Sequence, residues 1–318
     1  MTNQQIEYVL AVAECKSFSK ASQMLYITQP ALSKFIMTIE DQIGCKIFDR
    51  TSVPIQLTQA GEIYVEKAKT IKMINKDLEN ELSDLEQLKS GVLTIGTTPF
   101  RGSCMLAKSI SAFHQKYQGV KINIIEADQQ KLENEILNGN IDIAISTEVP
   151  DLKFFNVEFL SQEKLYLAVS NENTINETLK DKKVDYNEII KGDDIENAVD
   201  LSLFSKENFI ILSSNQNIND IYVNICRNYG FSPNSIIKTE YLETAFAFVL
   251  SNLGVSFIPD TYIKFGNNLN HPTYYLIEDD LTYININLIS KKNRYLIRAA
   301  REYSAILKHL IGIGTWVS

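Results

Sequence analysis

The sequence predicts a multidomain chain: an all-α head closed by a short β element, one long helix, and a two-lobed α/β body. Three features carry that reading. Residues 17–50 hold two short helical patterns joined by a tight turn and followed by a strand-like exit. Residues 59–89 hold one long helical stripe without proline. From Gly91 onward, short apolar strands alternate with helical patterns. With 318 residues the chain can bury more than one core.

In the head, Ile6, Val9, Leu10 and Ala13 recur at three- and four-residue spacing, which makes the first segment an amphipathic helix. Ser19 is placed as N-cap of a short second helix carrying Ala21, Met24 and Leu25, and Tyr26 and Ile27 make the turn. Thr28 followed by Gln29 and Pro30 is a hydroxyl cap with proline in the first turn, where its missing N–H costs nothing. On the third helix Leu32, Phe35, Ile36 and Ile39 fall on one side and form the expected core. Pro30, Ser33, Lys34 and Met37 turn outward, with Gln29 at the exposed N-terminal turn. A plain solvated face is the bland reading. The layout is nonetheless that of a winged helix-turn-helix, in which this end of the third helix meets base edges in the major groove.

Through the Ala21-x-x-x-Leu25 spacing, the run TQPALSKFIMTIEDQIGCKIFDR (28–50) and the continuation TSVPIQLTQAG (51–61), the chain resembles the LysR-type transcriptional regulators. The resemblance extends in outline over nearly the whole sequence. It implies a homodimeric or homotetrameric regulator of transcription, activator or repressor, with double-stranded operator DNA, a small-molecule effector and RNA polymerase as partners. It also implies a winged helix-turn-helix over 1–58 and a linker and dimerisation helix over 59–90. The effector domain over 91–318 would have the two-lobed architecture of type 2 periplasmic binding proteins, with lobe I at about 91–163 and 275–318 and lobe II at about 164–274. By correspondence with the family motif, Thr28, Gln29, Pro30, Ser33 and Lys34 lie at the groove and Arg50 at the wing, and Ser19 is counted with this DNA-facing set. Where many members carry a basic wing residue this chain has Val53, which removes a phosphate contact there.

Charge bounds the mode of DNA binding. The formal net charge is −8, and Met1 to Ser90 holds ten Lys plus Arg against twelve Asp plus Glu, so no broad basic surface exists. Affinity must come from a few placed contacts, helix N-terminal N–H groups and two copies acting together. The opening MTNQQIEYVL lacks a basic n-region leading into an apolar core, and no run of about 18 apolar residues follows. The expectation is a cytoplasmic protein with no membrane partner. Cys15, Cys45, Cys104 and Cys226 form no CxxC pair and the three histidines are scattered, so neither a metal nor another cofactor is expected. Cys15 and Cys45 read as small buried hydrophobes, and Cys104 lies at a helix start, where the dipole lowers a thiol pKa.

Thr58 can cap the long helix from about Gln59 to Lys89. Ile71, Ile74, Leu78, Leu82, Leu85 and Leu88 give it a narrow apolar stripe near heptad spacing, which asks for a partner helix. After Gly91 come strand patterns at 92–96, 121–125 and 141–146, then 165–170, 209–215 and 254–259, and a strand at 283–289 before a closing helix over 294–310. The polar stretch 171–207 reads as an elaborated connection.

Two α/β lobes leave a cleft at the carboxyl ends of their strands. Thr97, Thr98, Arg101 and Ser103 follow the first strand, Asp128 the second, and Ser146 and Thr147 the third. Ser213, Ser214 and Asn215 stand at the matching turn of the other lobe. Each alone is more simply a cap or turn former. Together they resemble the family's effector pocket, with one guanidinium, hydroxyls and a helix N-terminus suited to a small anion. Asp128 and Gln129 replace the small residues often found there, so the ligand's identity does not carry over. The competing class is a helix-turn-helix fused to a small-molecule enzyme. No GxSxG elbow, phosphate-binding loop, GxGxxG turn or HExxH pair supports it, and the reading is of a non-enzyme.

Overall fold

The computed structural model describes residues 1–84, 91–192, 196–212, 216–265 and 270–312. The chain forms two compact units, Met1–Leu85 and Glu86–Ser318.

The first unit runs α1 (Asn3–Cys15), α2 (Phe18–Met24), α3 (Gln29–Ile43), β1 (Phe48–Asp49), β2 (Gln56–Leu57) and α4 (Gln59–Asp84). Thr2 and Gln5 close a reciprocal capping box on α1. The cap of α2 is Ser17, whose hydroxyl accepts from Lys20 N, and not Ser19. Ser19 lies inside the helix, where its carbonyl accepts from the Ser22 hydroxyl at 2.9 Å. Thr28 caps α3 ahead of Pro30 as the sequence implied. Leu32, Ile36 and Ile39 are fully buried against Ile6, Val9 and Val12, while Phe35 is only half-buried and leans on Tyr8. Cys45 is exposed just past the end of α3 and is not the buried hydrophobe expected, while Cys15, at the end of α1, is partly buried and packs against the core.

Thr58 caps α4 through Gly61 N at 3.0 Å. A Cβ on Gly61 would stand 2.0 Å from the Ile47 carbonyl oxygen, so the start of α4 packs backbone to backbone on the hairpin. Gly61→Ala is expected to destabilise this unit by about 1–3 kcal/mol through overpacking, read as a lowered transition in calorimetry. Tyr64, Val65 and Ala68 bury the first turns of α4 in the same core. Farther along, Ile74, Leu78 and Leu82 are 57%, 56% and 58% exposed. Leu85 and Leu88 of the expected stripe lie outside the described residues.

The second unit runs β3 (Gly91–Thr97), α5 (Pro99–Lys116), β4 (Val120–Glu126), α6 (Gln129–Leu137), β5 (Ile143–Ser146), β6 (Phe155–Val169), α7 (Ile175–Thr178), α8 (Tyr186–Lys191), β7 (Asn208–Leu212), α9 (Gln216–Asn228), β8 (Asn234–Thr239), α10 (Leu242–Leu250), β9 (Ser256–Pro259), α11 (Asp260–Phe265), β10 (Thr273–Leu276), β11 (Tyr283–Lys291) and α12 (Arg298–Gly312). In the first lobe β4, β3 and β5 are parallel, and β11 joins β5 and the first part of β6 antiparallel. Apolar β5 sits centrally, as its unbroken apolar run requires. Helices α5 and α12 cover one face through Met105, Leu106, Phe113, Tyr303 and Leu307, and α6 covers the other through Leu132 and Ile136.

Strand β6 is the device that makes two lobes from one sheet. Up to Lys164 it pairs with β11; from Leu165 to Val169 it pairs with β9 and β10. Bonds from Val255 to Asn208 and Ile210 then attach the parallel pair β7 and β8. Strand β10 therefore belongs to the second lobe, and the chain returns to the first at β11, later than the expected residue 275. The connection 171–207 is less irregular than its polarity suggested. Val184 and Val199 bridge to Tyr274 and Ile277, and Leu179, Ile189, Leu201 and Phe204 enter the second lobe's core.

Candidate functional site

Two surfaces carry the candidate residues. In the first unit Thr28, Gln29, Pro30 and Lys34 are exposed along the start of α3, and Ser33 is half-buried between them and the wing. Arg50, at the end of β1, places its guanidinium against this helix. Nη1 donates to the Ser33 hydroxyl at 3.1 Å, Nη2 reaches Glu40 at 3.4 Å, and the group lies 4.9 Å from the Phe18 ring. The structure thus brings Ser33 and Arg50 together. Ser19 is exposed on α2.

The residue sequence reasoning missed here is Glu40. It is 1% exposed, accepts from Ile47 N and Phe48 N, and pairs with Lys46 and Arg50. One buried carboxylate therefore fixes the end of α3 to the wing strand and orients Arg50. Beyond it, Thr51 and Ser52 donate to Asp49 and hold its carboxyl below the usual range, which knits the wing loop. Tyr26, which the sequence placed in the turn before α3, takes the left-handed conformation there and is 96% exposed.

In the second unit a cavity of about 420 Å³ lies between the lobes at the hinge of β6. Thr98, Arg101, Asp128 and Thr147 line it, joined by Glu126, Gln129, Glu163, Tyr222, Glu240, Tyr241 and Glu243. Thr98 is the N-cap of α5, and Pro99 opens the helix. Asp128 caps α6, accepting from Lys131 N at 2.8 Å. Thr97, Ser103 and Ser146 do not line the cavity. Thr97 is fully buried at the end of β3. The Ser103 hydroxyl donates to the Phe100 carbonyl, an ordinary helical back-bond. Ser146 is buried against Gln129 and the Glu148 amide. Ser213, Ser214 and Asn215 lie outside the described residues.

Arg101 is not a free anion-binding cation. It is 6% exposed and forms an ion pair with Glu163, which is 2% exposed; the other Glu163 oxygen accepts from the Thr261 hydroxyl at 2.6 Å. Burial pushes the Glu163 carboxyl upward, against Arg101 and Thr261, which favour its charged form. Arg101 comes from the first lobe, Glu163 from the shared strand and Thr261 from the second lobe, so the network ties the hinge. Arg101 Nε has no hydrogen-bond partner among the described residues. Glu163 stands among other polar residues of β6, such as Glu158, Gln162 and Lys164, so nothing in the sequence singles it out, and its burial is visible only once both lobes' partners are known.

No metal-holding cluster of His, Cys, Asp and Glu is found among the described residues, nor any helix long and apolar enough to cross a membrane. Burial drives the Cys226 thiol up to about 12, which leaves little thiolate for chemistry. Cys104 lies on α5, and its side chain is outside the described set.

Residues 3–62 match the bacterial regulatory helix-turn-helix protein, lysR family, and residues 86–311 match the LysR substrate binding domain. The uncharacterized HTH-type transcriptional regulator YcgK of Bacillus subtilis (strain 168) is 25% identical, over 94% of this chain and 91% of its own. The hydrogen peroxide-inducible genes activator of Haemophilus influenzae is 25% identical over 82% of this chain and 80% of its own. The crystal structure of full-length CbnR with its target DNA superposes with a TM-score of 0.63 at 17% identity, covering 97% of this chain and 99% of that one, which is a likeness of fold. With a matching DNA-binding head joined to a matching effector domain over most of its length, the chain belongs to the LysR-type transcriptional regulators.

Proposed function

We propose that two copies of this chain read a two-fold related operator with the starts of their α3 helices, and that a small molecule in the interlobe cavity biases lobe closure and so the spacing of the two heads. The observation that carries the DNA-reading part is the face of α3. Gln29, Pro30 and Lys34 are exposed within its first two turns, beside a guanidinium held in place by Ser33 and Glu40. Amide side chains suit base edges, while a cation suits the phosphates on either side of the groove. A ligand moves the equilibrium between arrangements only by its differential affinity for them, so cavity changes should blunt the response and leave operator binding intact. The role is regulation rather than catalysis, exercised in the cytoplasm where the chromosome is.

Gln29→Ala is expected to cost about 1–3 kcal/mol on the operator and to relax preference at one position per half-site. Arg50→Ala should weaken every sequence alike. Lys34→Ala should lower the slope of log affinity against log salt by about one. Binding measured against a library of operator variants decides this. Equal losses on specific and random DNA for Gln29→Ala remove that residue from the reading role.

A further inference from the structure

The two most exposed large apolar side chains among the described residues bracket α3. Val53 is 97% exposed and Tyr26 96%, and no other large apolar or aromatic side chain in that set exceeds 63%. Tyr26 lies two residues ahead of the Thr28 cap. Val53 lies at the tip of the β1–β2 hairpin, whose root residue Arg50 is bonded to Ser33 of the same helix. One exposed apolar side chain would be ordinary. Two near-complete exposures on either side of one helix call for a common partner.

Neither side chain is left out by a loose loop. Asp49 accepts from the Thr51 amide and hydroxyl at 2.9 and 2.6 Å and from the Ser52 hydroxyl at 2.8 Å, and the Ile55 amide donates to the Lys16 carbonyl at 3.2 Å. Both limbs of the wing are therefore pinned, with Val53 and the exposed Pro54 at its tip. Tyr26 is held at a φ of 55°, in the left-handed region that a bulky side chain rarely adopts. Glycine or asparagine would take that backbone at less cost, so a tyrosine there points to a contact outside its own unit.

The chemistry of that contact is uncharged. No lysine or arginine occurs from Ala21 to Ser33 or from Thr51 to Glu66. Double-stranded DNA is the partner of this family's head, and the head has no basic excess from which to draw affinity. Arg50, beside α3, suits the phosphate ridge that borders the major groove. Val53 is three residues farther along, a reach of up to about 10 Å, which carries the tip across that ridge to the minor groove.

From the two exposures, the pinned wing and the absence of charge around both, we infer that Tyr26 and the Val53–Pro54 tip form an uncharged clamp on DNA. The tip rests against sugars and base edges in the minor groove flanking each half-site. The Tyr26 ring lies on the sugar edge at the mouth of the major groove, and its hydroxyl donates to a phosphate. A cationic wing is drawn to narrow A·T-rich minor grooves by their potential, and an apolar tip is not. This share of the affinity is therefore insensitive to salt. The inference rests on the reading of α3 as the recognition helix.

The test uses the full-length protein and short duplexes that it enriches from a random library. Val53→Ser and Tyr26→Gly are each expected to weaken the enriched duplex about tenfold at every salt concentration, with the parent's slope of log affinity against log salt. Hydroxyl-radical footprints of Val53→Ser should lose the minor-groove protection outside the α3 contacts. Val53→Arg should do the reverse, steepening the slope by about one per chain and adding a preference for A·T-rich flanks. Both residues are almost wholly exposed and glycine suits the Tyr26 backbone, so the variants should keep the parent's helix content and thermal transition. Binding within twofold of the parent by Val53→Ser or by Tyr26→Gly, or an unchanged footprint in Val53→Ser, overturns the inference. Gln29→Ala, measured beside them, tells the two levels apart. If it loses preference at its base while the other two bind like the parent, α3 still reads DNA and only the clamp falls. If all three bind like the parent, the reading of α3 falls with it.

Discussion

Glu163→Ala is expected to destabilise the effector domain by about 3–5 kcal/mol, because it leaves the Arg101 guanidinium buried without its counter-ion. Arg101 is 6% exposed, its two terminal nitrogens reach Glu163 and Thr98, and among the described residues no other carboxylate pairs with it. The same substitution strands the Thr261 hydroxyl of the second lobe, which adds to the loss at the hinge. Removing both charges together, as Arg101→Met with Glu163→Leu, should recover most of the stability, since well-packed apolar groups commonly replace a buried ion pair at little cost. Chemical denaturation of the single and double variants checks this. If Glu163→Ala loses less than about 1 kcal/mol, water reaches the guanidinium and the hinge is not sealed by this network.

Leu78→Asp and Leu82→Asp should each split the proposed homodimer. Ile74, Leu78 and Leu82 stand more than half exposed on α4, at four-residue spacing, on a helix whose first turns are already buried in their own unit. A second copy of the helix is the partner that such a stripe asks for. Burial of one leucine is worth about 1.5–3 kcal/mol, and each variant removes two of them across a two-fold interface. The dissociation constant should therefore rise by about two to four orders of magnitude, and more once the buried carboxylate is counted. Sedimentation of each variant gives the answer directly. Variants that stay dimeric with intact helix content would place the seam elsewhere and reassign α4.

Local chemistry made much of the fold legible. Thr28 ahead of Pro30 announced α3, Thr58 announced α4, and the apolar run Ile143 to Ile145 announced a central strand, because caps, proline and burial period act within a few residues. The α2 cap was misplaced by two residues because Ser17 and Ser19 offer the same hydroxyl, and the choice depends on where Phe18 must point to be buried. Strand β6 was read only from Leu165. Its first ten residues alternate imperfectly, and Glu163 and Lys164 interrupt the apolar pattern where the strand passes from one set of partners to the other. The hydroxyls of Ser103 and Ser146 looked like ligand contacts in the sequence and are bonded within their own lobe.

What the sequence by itself determined is therefore the family, the order of parts and the exposed face of α3, since each is written in residues close together along the chain. The tertiary structure alone decided where charges end up. Glu40 meets the wing amides, Glu163 takes up Arg101 on one oxygen and the Thr261 hydroxyl on the other across a separation of many residues, and Glu126 comes to lie beside the first turn of α5 because β4 runs beside β3 in register. A charge declares its sign in the sequence, but its effect depends on what neutralises it, and those partners are brought together only by the folded sheet.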